Sequence, residues 1–488
     1  MAKRTAVIDL GSNSVRMVIF EKSSRFGFHL IKEIKSRVRV GEGAYEQGGL
    51  LQEGPMQRTF EALRSFHTIT QNLGCSKILC VATSALRDAP NATVFTHRVQ
   101  KELGLHIRII DGSKEAYYGA VAATNLLEPL EEATTIDIGG GSTELAKIEK
   151  GKIVDTISLD IGTVRLKELF FDTKKPKEAL LAFIHRSFDQ IPQHFTSPVI
   201  VAIGGTLRSL ASAIMETEAY PLQTVHGFSY EYPRYASYIE TLSHASILDL
   251  KPYPFKKDRL DTIREGASIF QELAKKMDVQ KIITCGAGVR EGVYLSDLLR
   301  NHHHAFPANF NISVKSLQDR FSTTPKHDNY VMQCALDLFD ALAYLHGVDE
   351  RYKYELGIAA KLNSIGRSLS FYQEHLHSFY FILNNLNFGF SHEQKMLIAL
   401  LLKYHSKRLP DFKDLEAFER LLPDVKVVNW LSFILAFAKF LNTDFSNTPV
   451  TFSYENHTLH VKSDVPMLLA KESIKKLVKP ASFAIAFR

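Results

Sequence analysis

One supersecondary unit occurs twice in the first third of this 488-residue chain, and that repeat limits the possible folds more than any other feature. The first copy is an apolar strand over Thr5–Leu10 ending in Asp9 and Leu10, the tight turn GSNS, a strand over Ser14–Glu21 and a third over Phe28–Val38. The second copy, ATTIDIGGGSTELAKIEKGKIVDTISL over residues 133–159, follows the same plan, with a hairpin near Gly151. Laying DLGSNS over DIGGGS pairs Asp9 with Asp137, Gly11 with Gly139 and Ser14 with Ser142, each 128 positions apart. Self-similarity at a fixed offset marks a doubled unit. Two such units facing each other would put both turns on opposite walls of one cleft.

The segments between and after the copies alternate helix with strand. Met56, Phe60, Leu63, Phe66, Ile69 and Leu73 recur at spacings of three and four, which predicts an amphipathic helix ending at Gly74. A buried strand over Lys77–Ala82 follows, then a strand over His106–Ile110, with Ser113 as the expected N-cap of a helix running to about Leu127. The class is α/β. Two later strands run into glycines and then helices, VIVAIGGTLRSLA at 199–211 and KIITCGAGVREGVYL at 281–295, and read as further ligand-facing loops. Past about residue 305 strand signals fade, and helices are expected over Tyr330–Leu345, Tyr354–Leu362, Glu393–Tyr404 and Val428–Leu441. The expected domains are therefore 1–127, 128–304, whose last helix near 288–300 is a candidate to return to the first, and a helical 305–488. The segment Asn301–Ser322 is the best linker candidate. Three domains also fit the length, at roughly 150 residues each.

Apolar residues at 45% and charged residues at 23% exclude a disordered, collagen-like or coiled-coil chain. The net charge of +6, from 59 basic against 53 acidic residues, is mild and fits either a solvated basic face or an anionic ligand. Cys75 and Cys80 lack the CxxC spacing of a zinc or redox site, and with Cys285 and Cys334 far away a reduced, cytoplasmic setting is expected. The opening apolar run is too short for a signal peptide. The apolar stretch Trp430–Leu441 is short of the roughly 20 residues that span a bilayer, so a buried helix is expected there and no membrane span.

Glycine turns let backbone N–H groups converge on an anion, and such nests bind phosphate. A carboxylate at the end of the preceding strand can hold Mg2+ against that phosphate. Gly11, Ser12, Asn13 and Ser14 in the first copy, and Gly139, Gly140, Gly141 and Ser142 in the second, are thus candidate phosphate-binding residues, with Asp9 and Asp137 as candidate cation ligands. Glu115, in the first turn of its helix, either projects into a cleft or merely complements the helix dipole. Arg87 is a phosphate clamp or an ordinary surface arginine. Arg16 and Glu144, at aligned positions after the turns, face the ligand or occupy strand rims, whereas Arg259 and Arg290 default to solvent.

DLGSNSVR, VATSALRDA, Gly112 to Ala116, DIGGGSTEL, IGGTLRSLA, RLDTIREGASI and GAGVREG, in this order, resemble the exopolyphosphatase/guanosine pentaphosphate phosphohydrolase (Ppx/GppA) family over residues 5–300. The resemblance implies two duplicated actin-like (RNase H-like) domains and release of terminal orthophosphate from polyphosphate, from pppGpp, or from both. It implies Glu115 as the general base on water, Asp137 and Glu144 tied to the metal and the water, Asp9 as a further metal ligand, and Mg2+, with Mn2+ as an alternative. Arg87 corresponds to a phosphate-contacting arginine, Gly204, Gly205 and Thr206 to a phosphate loop, and Arg16 and Arg259 to arginines for guanosine polyphosphates or a phosphate chain. The helical part resembles an all-α HD-like domain, with Asn363 and Ser364 where a His–Asp metal pair is usual, which implies a degenerate metal site. His375, His377 and His405 are then packing or phosphate-contacting residues, and His327–Asp328 has no matching cluster. That domain is expected to shape the cleft, to aid homodimer formation or to hold distal polyphosphate. No DNA partner is implied. The alternatives are a non-catalytic guanosine polyphosphate-binding regulator and an actin-like ATP-dependent kinase.

Overall fold

In the computed structural model, which describes residues 3–44, 47–405 and 408–488, the two repeats become two sheets of matching order. The first holds β1 (Arg4–Leu10), β2 (Val15–Lys22), β3 (Phe28–Ser36), β4 (Lys77–Ala82) and β5 (Ile107–Ile109), in the order β3-β2-β1-β4-β5. The second holds β6 (Glu132–Ile138), β7 (Thr143–Glu149), β8 (Lys152–Leu159), β9 (Val199–Ile203), β10 (Ser229–Glu231) and β11 (Lys281–Thr284), in the order β8-β7-β6-β9-β11-β10. In each sheet an antiparallel three-strand meander is extended by parallel strands, and in the second β10 closes the edge antiparallel to β11. The central strands read as unbroken apolar runs because helices cover both faces, and Ala6, Val7 and Ile8 are completely buried.

The helix Glu53–Asn72 lays Phe60, Leu63 and Phe66 on the first sheet, as its spacing predicts. The helix Gly112–Leu126 has its N-cap two residues before the expected Ser113: Asp111 is the cap, accepting the Lys114 N–H at 2.6 Å. Small residues along this helix allow close approach on several sides, and it packs against β7, β8 and the helix Val289–Leu298. That last helix also touches β1, and a Cβ on its Gly292 would lie 1.8 Å from the Tyr118 carbonyl oxygen, so only glycine fits the crossing.

The chain divides into two compact units, Met1–Phe310, which contains both sheets, and Asn311–Arg488. The expected linker 301–322 is only partly irregular, because Ile312–Phe321 is a helix capped by Asn311. The second unit is mostly helical, built around the buried helix Val425–Leu441. It departs from an all-α domain by a three-stranded sheet of β12 (Thr451–Glu455), β13 (Thr458–Lys462) and β14 (Ala484–Phe487). Among the described residues, no single helix is long and apolar enough to cross a membrane.

Asn363 and Ser364 are fully buried and donate to Asp328 at 3.1 and 2.7 Å, so this acid is saturated by neutral donors. Beside it the Lys439 ammonium pairs with Glu374 and meets His405 Nε2 at 2.8 Å. Burial holds His405 well below the usual imidazole range. The buried Lys439 ammonium thus serves as the cation of this cluster. His375 is also held below its usual value, chiefly by burial, with Lys439 adding to the shift.

Candidate active site

The repeated turns are closed by the same hydrogen bond: Gly11 N donates to Ser14 O at 3.2 Å, and Gly139 N to Ser142 O at 2.9 Å. Register is shared too, with Asp9 opposite Arg16 in the first hairpin and Asp137 opposite Glu144 in the second. The turns face one another so closely that a Cβ on Gly140 would lie 3.2 Å from the Cβ of Ser12. Between them lies a cleft of about 130 Å³. Asp9, Gly11, Ser12 and Arg16 line it from the first lobe, and Asp137, Gly139, Gly140 and Ser142 from the second. Glu115, from the helix Gly112–Leu126, completes the acidic side. Gly204 and Gly205 close the end; at φ +80° Gly204 takes a left-handed backbone, and a Cβ there would fall 2.0 Å from Asp137 Oδ1.

Four carboxyls are thus concentrated where water is scarce, and each holds its proton more tightly than usual. Asp9 is pushed up to about 6 by burial, against the pull of Arg290 and Arg16, and its Oδ1 is buried with no hydrogen-bond partner. Burial also raises Asp137. Glu144 is raised by burial and by the charge of Asp137 in spite of donors from Ser142 and Ser158, the latter at 2.9 Å. Glu115 is raised well above the carboxylate range by burial and then by Glu144. Arg87 Nη1 grips only one of its oxygens, Oε2, at 3.1 Å, and the side chain keeps 12% exposure toward the cleft. Carboxyls raised together by burial and like charge are the usual signature of a functional site.

Residues 18–301 match the model of the Ppx/GppA phosphatase family, and residues 311–472 match that of Ppx/GppA phosphatase, domain III. The chain belongs to the Ppx/GppA phosphatase family. The relatives of this Ppx/GppA member include a guanosine-5'-triphosphate,3'-diphosphate pyrophosphatase of Photobacterium profundum, 26% identical over 84% of this chain and 82% of the relative. One of the same name from Pseudoalteromonas translucida is 28% identical over 83% of this chain and 81% of the relative. Among solved structures, the Aquifex aeolicus member of the Ppx/GppA family is 30% identical with a TM-score of 0.54, covering 62% of this chain and 100% of that one. An exopolyphosphatase from Cytophaga hutchinsonii shares the fold at 22% identity and a TM-score of 0.55, over 61% of this chain and 98% of that one.

Several expected residues of this Ppx/GppA chain stand one layer back from the cleft. Arg87 pairs with Glu115, and Glu144 sits beside Asp137 on the neighbouring strand, and neither lines the cleft. Thr206 packs beneath Gly266, and Arg259 lies over Gly205, where a Cβ would meet its Nη2 at 2.2 Å. Asn13 opens into a neighbouring hollow with Arg39 and Asp261, while Ser14 and Gly141 contribute their turn backbone and do not line the cleft. Arg290 is not at the solvent-facing position expected of it: it lines the cleft at 6% exposure and pairs with Glu33 at 2.6 Å. Arg208, absent from the expected set, also lines the cleft and ties Gly204 O to Gly286 O at 2.8 and 2.5 Å. It stood within the IGGTLRSLA motif, one turn past the glycines, which is the signal that could have found it.

The residues fit a hard divalent cation of the magnesium type. Among the described residues no three His, Cys, Asp or Glu side chains form a ready metal cage. Mg2+ does not ask for one, because it keeps waters and uses one or two carboxylates plus substrate phosphate. The orphaned Asp9 Oδ1 and the facing Asp137 supply that smaller donor set.

Proposed function

We propose that this protein hydrolyses the terminal phosphoanhydride of a guanosine polyphosphate, converting pppGpp to ppGpp and orthophosphate, with inorganic polyphosphate as a second substrate. The observation that carries the reading is the meeting of two glycine turns, two strand-end aspartates and Glu115 in one small cleft. The names of the relatives that align over more than four-fifths of the chain support the guanosine polyphosphate.

In this reading the turn N–H groups of Gly11–Ser14 and Gly139–Ser142 orient the terminal phosphate, and Asp9 and Asp137 hold Mg2+. Mg2+ held there would supply the positive charge that offsets charge building on the transferring phosphoryl group. Glu115 takes the proton of the attacking water at Oε1, because Arg87 occupies Oε2. Burial and the neighbouring Glu144 raise its proton affinity and so make it a stronger base than a solvated glutamate. The water oxygen bonds to phosphorus as the anhydride P–O bond breaks, and the shortened polyphosphate leaves with the electron pair. Arg16 stays charged at neutral pH even though burial and the crowd of Arg290, Arg208 and Arg259 lower it to about 10. It is therefore available to the remaining phosphates.

The deciding assay offers purified protein with Mg2+ both pppGpp and long-chain polyphosphate, and measures orthophosphate and ppGpp. Orthophosphate should appear without an acceptor, which a kinase would require. Glu115→Gln should keep nucleotide binding while losing turnover. If neither compound is consumed, the hydrolase reading fails and a non-catalytic binding role replaces it.

A further inference from the structure

A second cavity, of about 280 Å³, opens in the lobe of the second sheet and shares no lining residue with the cleft. Its floor is apolar: Phe170 and Phe171 precede a loop that leads to Leu180 and Leu181 on the helix Lys177–Phe188. Its rim is cationic, with Lys175 and Lys177 on one side and Arg264 and Lys275, from the helix Ile263–Lys276, on the other.

These cations are incompletely answered. Lys175 Nζ lies 5.1 Å over the Phe170 ring, and Lys177 meets His244 Nε2; neither pairs with a carboxylate among the described residues. His244 Nδ1 faces the Glu240 carbonyl at 2.9 Å, so its Nε2 is turned toward Lys177. Lys275 shares Glu272 with His185, each at 2.9 Å. The Arg264 guanidinium stacks 4.1 Å over Phe171 and reaches Glu265 at 3.1 Å, but its Nε is buried with no hydrogen-bond partner. Glu240 and Glu272 are the acids of the lining, two against four cations. Deeper in, Ser243 Oγ lies 2.8 Å from the Glu240 carbonyl oxygen and 2.9 Å from Gln271 Oε1, and the Gln271 amide lines the cavity.

An apolar floor, a positive rim and an amide at depth select a ring that carries negative charge. We infer that this cavity is a second ligand site, taking an aromatic anion of about mononucleotide size, with its ring among the apolar side chains of the floor and its charge at Lys175, Lys177 and Arg264. Two sources supply that chemistry, a nucleoside monophosphate and an aromatic carboxylate.

The test is calorimetric titration of the full chain with AMP, GMP and indole-3-acetate, with inorganic phosphate and adenosine as probes of charge alone and ring alone. At least one aromatic anion should bind about tenfold or more tighter than phosphate or adenosine, and whether a nucleotide or indole-3-acetate leads identifies the source. Lys175 and Lys177 are exposed, so Lys175→Glu with Lys177→Glu keeps the fold. That double variant should weaken binding about tenfold or more while orthophosphate release from pppGpp is unchanged. Bound ligand should slow amide exchange over 170–181 and 263–276. The inference is overturned if no aromatic anion binds, if the double variant binds as the parent does, or if protection falls on the turns at 9–16 and 137–144 instead.

Discussion

The hairpins Asp9–Arg16 and Asp137–Glu144 share a turn, a closing hydrogen bond and a register, and differ in the residue that faces the strand-end aspartate. In the first lobe that seat is Arg16, whose charge pulls Asp9 down against burial. In the second it is Glu144, which burial and the Asp137 charge push upward together. The two copies of one glycine turn thus differ at a single seat, where Arg16 lines the cleft and Glu144 does not. The first lobe gets its own second acid from elsewhere, placing Glu115 on a helix where it meets the Glu144 charge.

Four substitutions test that contrast. Glu115→Gln removes the acid that the first lobe supplies off the hairpin, and turnover should fall roughly 10²- to 10⁴-fold with nucleotide affinity kept, read by steady-state kinetics beside equilibrium binding. Arg16→Glu makes the first hairpin a copy of the second; kcat/KM should drop about 100-fold, ~2.7 kcal/mol, and a smaller loss than Glu144→Gln causes would mean the asymmetry is not functional. Ser158→Ala takes one donor from Glu144 and should cost about tenfold or less in kcat, near 1 kcal/mol, with KM held.

The smallest effect is on stability. Folded Glu144 keeps a proton that the unfolded chain releases above the usual glutamate value of 4.5, so parent stability declines as pH rises from there through the raised folded value. Without added divalent cation, Glu144→Gln should therefore melt about 2 °C or more above the parent at pH 8, and the gap should close toward pH 4. A gap that widened on acidification would reverse the sign argued here.

The turns, their flanking acids and the doubling were legible because they are local: the glycines, the strand-end Asp9 and Asp137 and the alternation of Val15, Met17 and Ile19 stand within a few residues of one another. The N-cap of the helix bearing Glu115 was misplaced by two residues, since Asp111 and Ser113 are both good caps and only the backbone turn decides between them. In the sheet of the second unit β12 and β13 form a local antiparallel hairpin over Asn456 and His457, whereas β14, four residues long, pairs in parallel with β13 across a long intervening segment and leaves no hairpin signal. Arg290 looked solvent-facing because nothing in its neighbourhood announces Glu33, 257 positions away.

Sequence alone determined that two glycine turns exist, that each follows an aspartate, and that their neighbours differ as Arg16 and Glu144, because hydrophobic period and turn chemistry are written in adjacent residues. Tertiary structure decided that the turns oppose each other, that Arg87 holds one oxygen of Glu115, that Arg208 and Arg290 join the wall, and that burial raises the acids. Those outcomes depend on distances and dielectric between residues far apart in the chain, and these come into being only when the sheets pack.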